Sequence, residues 1–372
     1  MGFPLAIVGA GTAAVAAVTT LREEGYDGDI VMFGDEGRAP YDRAWLSNAF
    51  TPGFSGGVAP ALYDASFYRN AGVRLSLNDP VVKLNAGGSH VLTTRNGMQL
   101  QYDKALIATG TSSKQLAIPG ADLPSVHHVH SEWHATLLAR SLAAAPRVVV
   151  IGAGFLACEI AASARAANCE VTIVSPRLPM EHVLGPSVGA LVAQTHRAAG
   201  VAVETAHAVA INGKNDVRSV SLSDGRRIAC RVVVIAIGTV PNCAAIPSDL
   251  CDGGIMVDEF CRTAAEDVYA AGSVANAWRP RTHRRLRDGH SDHAREHGRH
   301  AALSMMGRAT VFDPVPSFVS VQHGRRIQFA GDAVGDADAI VERANDTAIE
   351  ARYVTRGVTV GVCRIDEANR QS

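Results

Sequence analysis

The chain opens on an uninterrupted apolar run, Leu5-Ala6-Ile7-Val8, of the length expected for a strand buried on both faces. Gly9-Ala10-Gly11-Thr12-Ala13-Ala14 follows, then small and apolar residues at helical spacing through Leu21. A second apolar run, Ile30 to Phe33, stops at Gly34-Asp35-Glu36. This order predicts strand, glycine turn, helix and parallel strand. The same pattern returns in mid-chain: Arg147 to Ile151, the turn Gly152-Ala153-Gly154-Phe155-Leu156-Ala157, a helix, and Glu170 to Val174. The apolar stretch 232–237 closes that second sheet and ends at Gly238. Residues 81–100 alternate loosely around Asn96-Gly97 and predict a hairpin. Residues 102–110 read as a strand ending in the small-residue turn Ala108-Thr109-Gly110. Residues 253–258 and 267–273, the latter ending in Gly272-Ser273, read as strands returning to the first sheet. From Phe312 onward, short alternating stretches predict a small α+β tail.

The glycine spacing adds chemistry to this pattern. Gly9 permits a tight turn, Gly11 lets a phosphate approach bare backbone, and Ala14 allows helix and strand to pack closely. Together with Thr12 and Ala13 they form the start of a helix whose N–H groups suit a pyrophosphate. Asp35 and Glu36 stand where an acid holds a ribose hydroxyl. Gly152, Gly154, Phe155 and Leu156 repeat the arrangement. Two such units in one chain predict two dinucleotides, and the usual pair is FAD with a nicotinamide. The expected class is α/β: two Rossmann-like dinucleotide-binding domains, the second inserted in the first, plus a small C-terminal α+β domain. The boundaries fall at 1–114 and 243–311 for the first domain, 115–242 for the second and 312–372 for the tail.

Composition narrows the setting. At 372 residues, with 47% hydrophobic and 19% charged content, the chain has material for a sizeable core. A net charge of −1 gives no reason to expect nucleic acid or an anionic membrane as partner. No apolar run approaches a membrane span, and the first strand begins too early for a signal peptide. Seven cysteines, odd in number and without C-x-x-C spacing, point to reduced thiols in a cytoplasm. No metal site is expected.

In their order, GAGTAA, PYDRxxLS, YDKALIATG, GAGFLACE, IAIGTVPN, GGIMVDEFCRT, DVYAAGS and FDPVPSF resemble the flavoprotein pyridine-nucleotide oxidoreductases. The resemblance is to the branch of ferredoxin, putidaredoxin and rubredoxin reductases that includes apoptosis-inducing factor, and it covers nearly the whole chain. It implies that FAD takes a hydride from NAD(P)H and passes single electrons to a ferredoxin-like iron–sulfur protein. It further implies that Gly9, Gly11 and Ala14 seat the FAD pyrophosphate and Asp35 the adenosine ribose. Arg43 would contact FAD, with Thr109-Gly110 along it. Gly152, Gly154 and Ala157 would seat the nicotinamide dinucleotide, and Gly238 would end a loop beside its nicotinamide half. Glu159 matches a glutamate near the flavin–nicotinamide contact. The absence of a cysteine between Arg43 and Asn48 argues against disulfide reduction.

The chain also departs from that pattern. Asn48 stands where the family has a lysine that pairs with the glutamate matched by Glu159, so Glu159 needs another hydrogen-bond partner. Ser273 replaces an aspartate that accepts from the FAD ribityl chain, and two tryptophans near the flavin correspond to Ser291 and Val319. Ser175 replaces an acid that selects NADH, and Arg177 follows, giving a mild preference for NADPH. Three functions follow: the reductase, a remodelled flavoenzyme acting on a small-molecule acceptor in a biosynthetic pathway, or a nucleotide-binding protein without flavin redox activity. The chain is expected to be a monomer or homodimer. His290, His293, His297 and His300 recur at helical spacing and read as part of a solvated basic helix, more readily than as zinc ligands. Arg279, Arg281, Arg284, Arg285 and Arg287 read as a positive patch able to steer an acidic ferredoxin.

Overall fold

The structure is a computed structural model, and it describes residues 2–49, 58–144, 147–332, 338–343 and 348–368. The chain divides into two units, each assembled from three segments. The first contains Met1–Arg43, Ala59–Ser112 and Thr239–Pro314, and the second Ala44–Val58, Ser113–Gly238 and Val315–Ser372.

The first unit is built on a five-stranded parallel sheet. Leu5–Val8 lies at its centre, with Ile30–Phe33 and Val73–Ser76 on one side and Ala105–Ile107 and Val268–Ala270 on the other. Leu5–Val8 and Ile30–Phe33 are buried at every position, as continuous apolar runs in a doubly covered sheet must be. One face packs on helices Thr12–Glu23 and Ser291–Met305 through Ala14, Ala17, Leu21, Ala301, Ala302 and Met305. The opposite face carries Ala6, Val8, Val31 and Phe33 into a second core with Leu84, Leu92, Ile255 and Ala277.

That second face is covered by two small three-stranded sheets. Residues 81–101 make Val81–Leu84, Val91–Thr94 and Gln99–Gln101, a three-stranded meander with one more strand than a hairpin. Ile255–Val257 does not return to the main sheet; it pairs in parallel with Ala275–Arg279, which pairs in turn with Arg284–Leu286. With Val268–Ala270 already closing the main sheet, Ile255 and Val257 bury themselves in the face-on core instead.

The second unit repeats the parallel design in the order Ala202–Thr205, Glu170–Ser175, Arg147–Ile151, Val232–Ile235, Val126–His127. Helix Phe155–Ala166 follows the central strand. Helix Glu181–Ala198 is broken at Gly185, whose φ of 76° precedes Pro186, a residue that cannot continue an upstream helical ladder. The described part of the tail is a five-stranded antiparallel sheet: Ser317–Gln322, Arg325–Gly331, Val358–Glu367, Ile349–Thr355 and Asp338–Arg343. Its helical cover comes from the two helices just named: Cys158, Leu184, Val188 and Val192 share a core with Ile327, Phe329, Tyr353 and Cys363.

Candidate nucleotide sites

In the first unit Gly9 sits at φ +119°, and a Cβ there would lie 2.1 Å from the Ala108 carbonyl oxygen. The turn can therefore be made by glycine alone. Two residues on, Gly11 caps helix Thr12–Glu23 without a side-chain hydrogen bond, and a Cβ on Gly11 would meet nothing within 4 Å. The first N–H groups, at Thr12, Ala13 and Ala14, thus face a cradle open to a phosphate. Ala14 is fully buried against the sheet.

The end of strand Ile30–Phe33 supplies a pocket walled by Asp35, Glu36, Arg38, Tyr41 and Arg43. Tyr41 donates its hydroxyl to Glu36 Oε2 at 2.7 Å, Arg43 pairs with Glu36 Oε1, and Arg43 Nη1 donates to the Tyr41 hydroxyl at 3.2 Å. Arg38 lies over the Tyr41 ring, 4.5 Å from its centroid. Asp35 is exposed at the rim. Glu36, not Asp35, is the acid held in a fixed geometry, because the loop folds Tyr41 and Arg43 back onto it.

Two further turns complete this site. Asn242 donates from Nδ2 to the Thr109 carbonyl at 2.9 Å and from its backbone N–H to the Gly110 carbonyl at 3.0 Å. The Thr109 hydroxyl donates to the Asn242 carbonyl at 2.8 Å. This triple tie fixes the Ala108-Thr109-Gly110 turn. Gly272, at φ +78°, donates its N–H to His297 Nδ1 at 3.2 Å, and Ser273 follows with its Oγ 3.6 Å from the place a Gly110 Cβ would take. Glycine turn, open helix terminus and acid-lined pocket form the donor set a dinucleotide such as FAD requires.

The second unit holds a parallel arrangement. Gly152, at φ +125°, would put a Cβ 2.2 Å from the Ala236 carbonyl oxygen. Gly154 caps helix Phe155–Ala166, again without a side-chain bond. Phe155 packs edge-on to Phe318 with centroids 4.4 Å apart, and Leu156 beside it is half-buried. The His182 ring stands 3.4 Å from the position of a Gly154 Cβ; burial foremost, then Arg177, holds its pKa below the ordinary value. The Ser175 hydroxyl accepts the Arg177 backbone N–H at 3.2 Å, and the Arg177 side chain is exposed. Gly238 has φ +106° with open space around it. His182 carried no signal in the sequence, because only the fold brings it to the glycine turn.

Glu159 is half-buried on the same helix, and its Oε1 accepts the Ser320 hydroxyl at 2.7 Å. This is the replacement partner that the loss of the lysine demanded. Asn48 is engaged elsewhere: it donates from Nδ2 to Ser47 Oγ at 3.3 Å, and the Ser163 hydroxyl reaches its Oδ1 at 3.4 Å. Cys158 is fully buried, and burial foremost pushes its thiol far above the usual range, so it is no nucleophile. All seven cysteines are free.

The arginine–histidine segment differs from its sequence reading. Arg279 is 2% exposed, donates to His293 Nε2 at 2.7 Å and lies over the Phe312 ring. His293 and His297 are buried as well, with His297 stacked on Phe312 at 4.2 Å. The helix is therefore solvated on one face only. Its apolar stripe, Ala294, Gly298, Ala301, Ala302 and Met305, places His297 inward, a signal present in the sequence itself. Arg281, Arg285 and Arg287 each donate to backbone carbonyls, and Arg284 is exposed. Among the described residues no group of three or more His, Cys, Asp or Glu could hold a metal, and no helix is long and apolar enough to cross a membrane.

Known proteins share this architecture. Rhodocoxin reductase of Rhodococcus erythropolis is 31% identical over 350 residues, 93% of this chain and 82% of the relative. The ferredoxin–NAD(+) reductase component of the Paraburkholderia xenovorans biphenyl dioxygenase system is 33% identical over 91% of this chain and 83% of its own. Among solved structures, the ferredoxin reductase for the CYP199A2 system of Rhodopseudomonas palustris superposes with TM-score 0.92 at 27% identity, covering 98% of this chain and 91% of that one. The covalent putidaredoxin reductase–putidaredoxin complex gives TM-score 0.91 at 25% identity, over 98% and 89%. Residues 3–298 match the pyridine nucleotide-disulphide oxidoreductase family, and with these two glycine-turn units the chain belongs to it.

Proposed function

We propose that the protein is an FAD-dependent NAD(P)H oxidoreductase that passes electrons to a ferredoxin-like iron–sulfur protein. The observation that carries this reading is the pair of open helix termini at Gly11 and Gly154, each set behind a buried parallel strand. The names of the relatives, reductases of ferredoxin and rubredoxin, support the choice of acceptor. When bound, FAD supplies the conversion of a two-electron donor into single-electron steps.

The chain's own residues position and select. Gly9, Gly11, Thr12, Ala13 and Ala14 receive the FAD pyrophosphate, and Asp35, exposed at the rim, takes the adenosine ribose beside Glu36, which Tyr41 and Arg43 hold. The Ala108-Thr109-Gly110 turn and Gly272-Ser273 line the remaining length. Ser273 offers a neutral hydroxyl where a carboxylate would give a charge-assisted bond, a loss of about 1–2 kcal/mol. In the second unit Gly152, Gly154, Phe155 and Leu156 receive the nicotinamide dinucleotide, with Gly238 beside it. Glu159 presents an anchored carboxylate on the helix that begins at Gly154. Without an acid at Ser175, and with Arg177 exposed nearby, a 2′-phosphate is tolerated and NADPH is mildly preferred. The domains follow as 1–114 with 243–311 for FAD, 115–242 for the nicotinamide cofactor and 312–372 as the tail.

The test is a visible absorption spectrum of the purified protein before and after anaerobic NADPH or NADH. Flavin bands that bleach are expected. Protein that takes up no flavin after incubation with FAD would defeat the reading.

A further inference from the structure

Glu159 stands at one end of a line of buried polar side chains that the proposed reaction does not otherwise use. Ser320 donates to Glu159 Oε1 at 2.7 Å, and Gln322 Nε2 donates to Ser320 Oγ at 2.9 Å. Gln322 Oε1 meets His196 Nε2 at 3.0 Å, and His196 Nδ1 meets His323 Nε2 at 2.9 Å. Ser320, Gln322 and His196 are each 99% or more buried, whereas His323 is half-buried. The members come from helix Phe155–Ala166, helix Glu181–Ala198, strand Ser317–Gln322 and the turn after it.

With Glu159 Oε1 either bare or protonated, the donor inventory gives this line two complete hydrogen-bond patterns. A serine hydroxyl has one proton, so accepting from Gln322 commits it to donate to Glu159 Oε1, an oxygen that then carries no proton. Gln322 Oε1 then accepts from His196 Nε2–H, and His196 Nδ1 accepts from His323 Nε2–H. Every bond donates toward Glu159. In the second pattern every bond is reversed. A protonated Glu159 donates to Ser320, Ser320 donates to Gln322 Oε1, the turned amide donates to His196 Nε2, and His196 Nδ1–H donates to His323 Nε2. A mixed pattern leaves a buried donor facing a donor, which costs about 1–3 kcal/mol.

We propose that Ser320, Gln322, His196 and His323 are positioning residues for Glu159, forming one chain that reverses as a unit when Glu159 gains a proton at Oε1. The balance is one proton and no electrons. Glu159 holds the proton gained, each imidazole keeps a single ring proton that moves from Nε2 to Nδ1, the Ser320 hydroxyl rotates and the Gln322 amide turns over. His323 is the member through which ring protons exchange with solvent. The state of Glu159 is thereby recorded in the tautomer of His196, two strand residues and a helix away.

The surroundings favour neutral rings. Burial foremost, then His323, lowers His196 to about 4, and burial with the nearby Arg165 lowers His323. Cys158, next to Glu159, keeps its proton. Both imidazoles are therefore neutral near pH 7 and free to choose a tautomer, as the two patterns require. The catalytic consequence rests on the reading of Glu159 given above, whereas the chain itself does not.

The experiment is long-range 15N–1H correlation on full-length protein labelled in histidine nitrogen and glutamate carboxyl carbon, followed from pH 5 to 8.5. His196 is expected as a single Nε2–H tautomer while Glu159 is ionised, converting to Nδ1–H in step with the Glu159 carboxyl signal. Ser320→Ala, or Gln322→Leu should that variant fail to fold, is expected to give mixed His196 tautomers that ignore pH, and Ser320→Thr to restore the single form. A His196 tautomer fixed through the Glu159 titration, or unmixed in S320A, overturns the proposal. The measurement needs no bound cofactor, so protein that takes up no flavin defeats the proposed function and leaves this test standing. In flavin-loaded protein, the pH profile of NADPH-driven bleaching should change in S320A and recover in S320T.

Discussion

Gly298 decides how closely two helices meet in the first unit: a Cβ there would lie 2.1 Å from the Ala13 carbonyl oxygen. Replacing a helical glycine by alanine normally stabilises by up to about 1 kcal/mol. Here the obstacle is backbone, which cannot swing away, and overpacking costs about 1–3 kcal/mol. Gly298→Ala is therefore expected to lower stability by roughly 2 kcal/mol, read as a lower urea midpoint at unchanged slope. Residue-level selectivity is expected at Arg177: Arg177→Glu should shift the NADPH-to-NADH ratio of kcat/KM about tenfold toward NADH, near 1.4 kcal/mol. Steady-state kinetics with both cofactors checks it, and an unchanged ratio removes Arg177 from the 2′-phosphate site. Gly9, Gly11, Gly152 and Gly154 were legible in the sequence because a turn's demand for glycine is local. The partner of Glu159 was not, since Ser320 lies 161 residues away and only the packing of strand on helix brings them together.

At the scale of an element, helix Ser291–Met305 shows why charge-rich composition misleads. Its Arg295–Asp292 and Arg299–Glu296 pairs are exposed and worth little, while its inward face carries two histidines. Burial lowers His293 to about 4, as it does His196. The unfolded chain binds these protons near pH 6.5 and the folded chain only near 4. Stability is therefore complete above about pH 6.5 and falls as the pH drops toward 4. Each group should cost about 2 kcal/mol at pH 5. Urea unfolding at pH 5 and 7.5 should show this loss, and His293→Gln should reduce it; an equal midpoint at both pH values would contradict the burial of neutral rings. Strand and helix patterns were readable wherever one period ran unbroken. The meander at 81–101 and the separate sheet of Ile255–Val257 were not, because which edge a short strand joins depends on which edges are already taken.

For the whole molecule, the arginine segment becomes a smaller surface than its sequence promises, with Arg279 withdrawn into the core. Steering of an acidic iron–sulfur protein should then depend on exposed cations such as Arg284. The kcat/KM for such an acceptor is expected to fall as salt rises and to drop several-fold in Arg284→Glu, with dye reduction unchanged; a salt-independent rate would place the docking face elsewhere. The discontinuous domain plan was legible, since two glycine turns and a returning strand are visible in order, but the assignment of each segment to its sheet needed the tertiary contacts. The contact between Ala13 and Gly298 also has a biosynthetic consequence. The first strand and helix leave the ribosome long before the helix that covers them, and at about 5–20 residues per second that delay is roughly 15–60 s. Neither unit has all its segments until translation passes residue 314. Through that interval the face of the first parallel sheet that helix Ser291–Met305 covers waits for that helix, so the early strands are exposed to wrong pairings for longest while the last third of the chain is made.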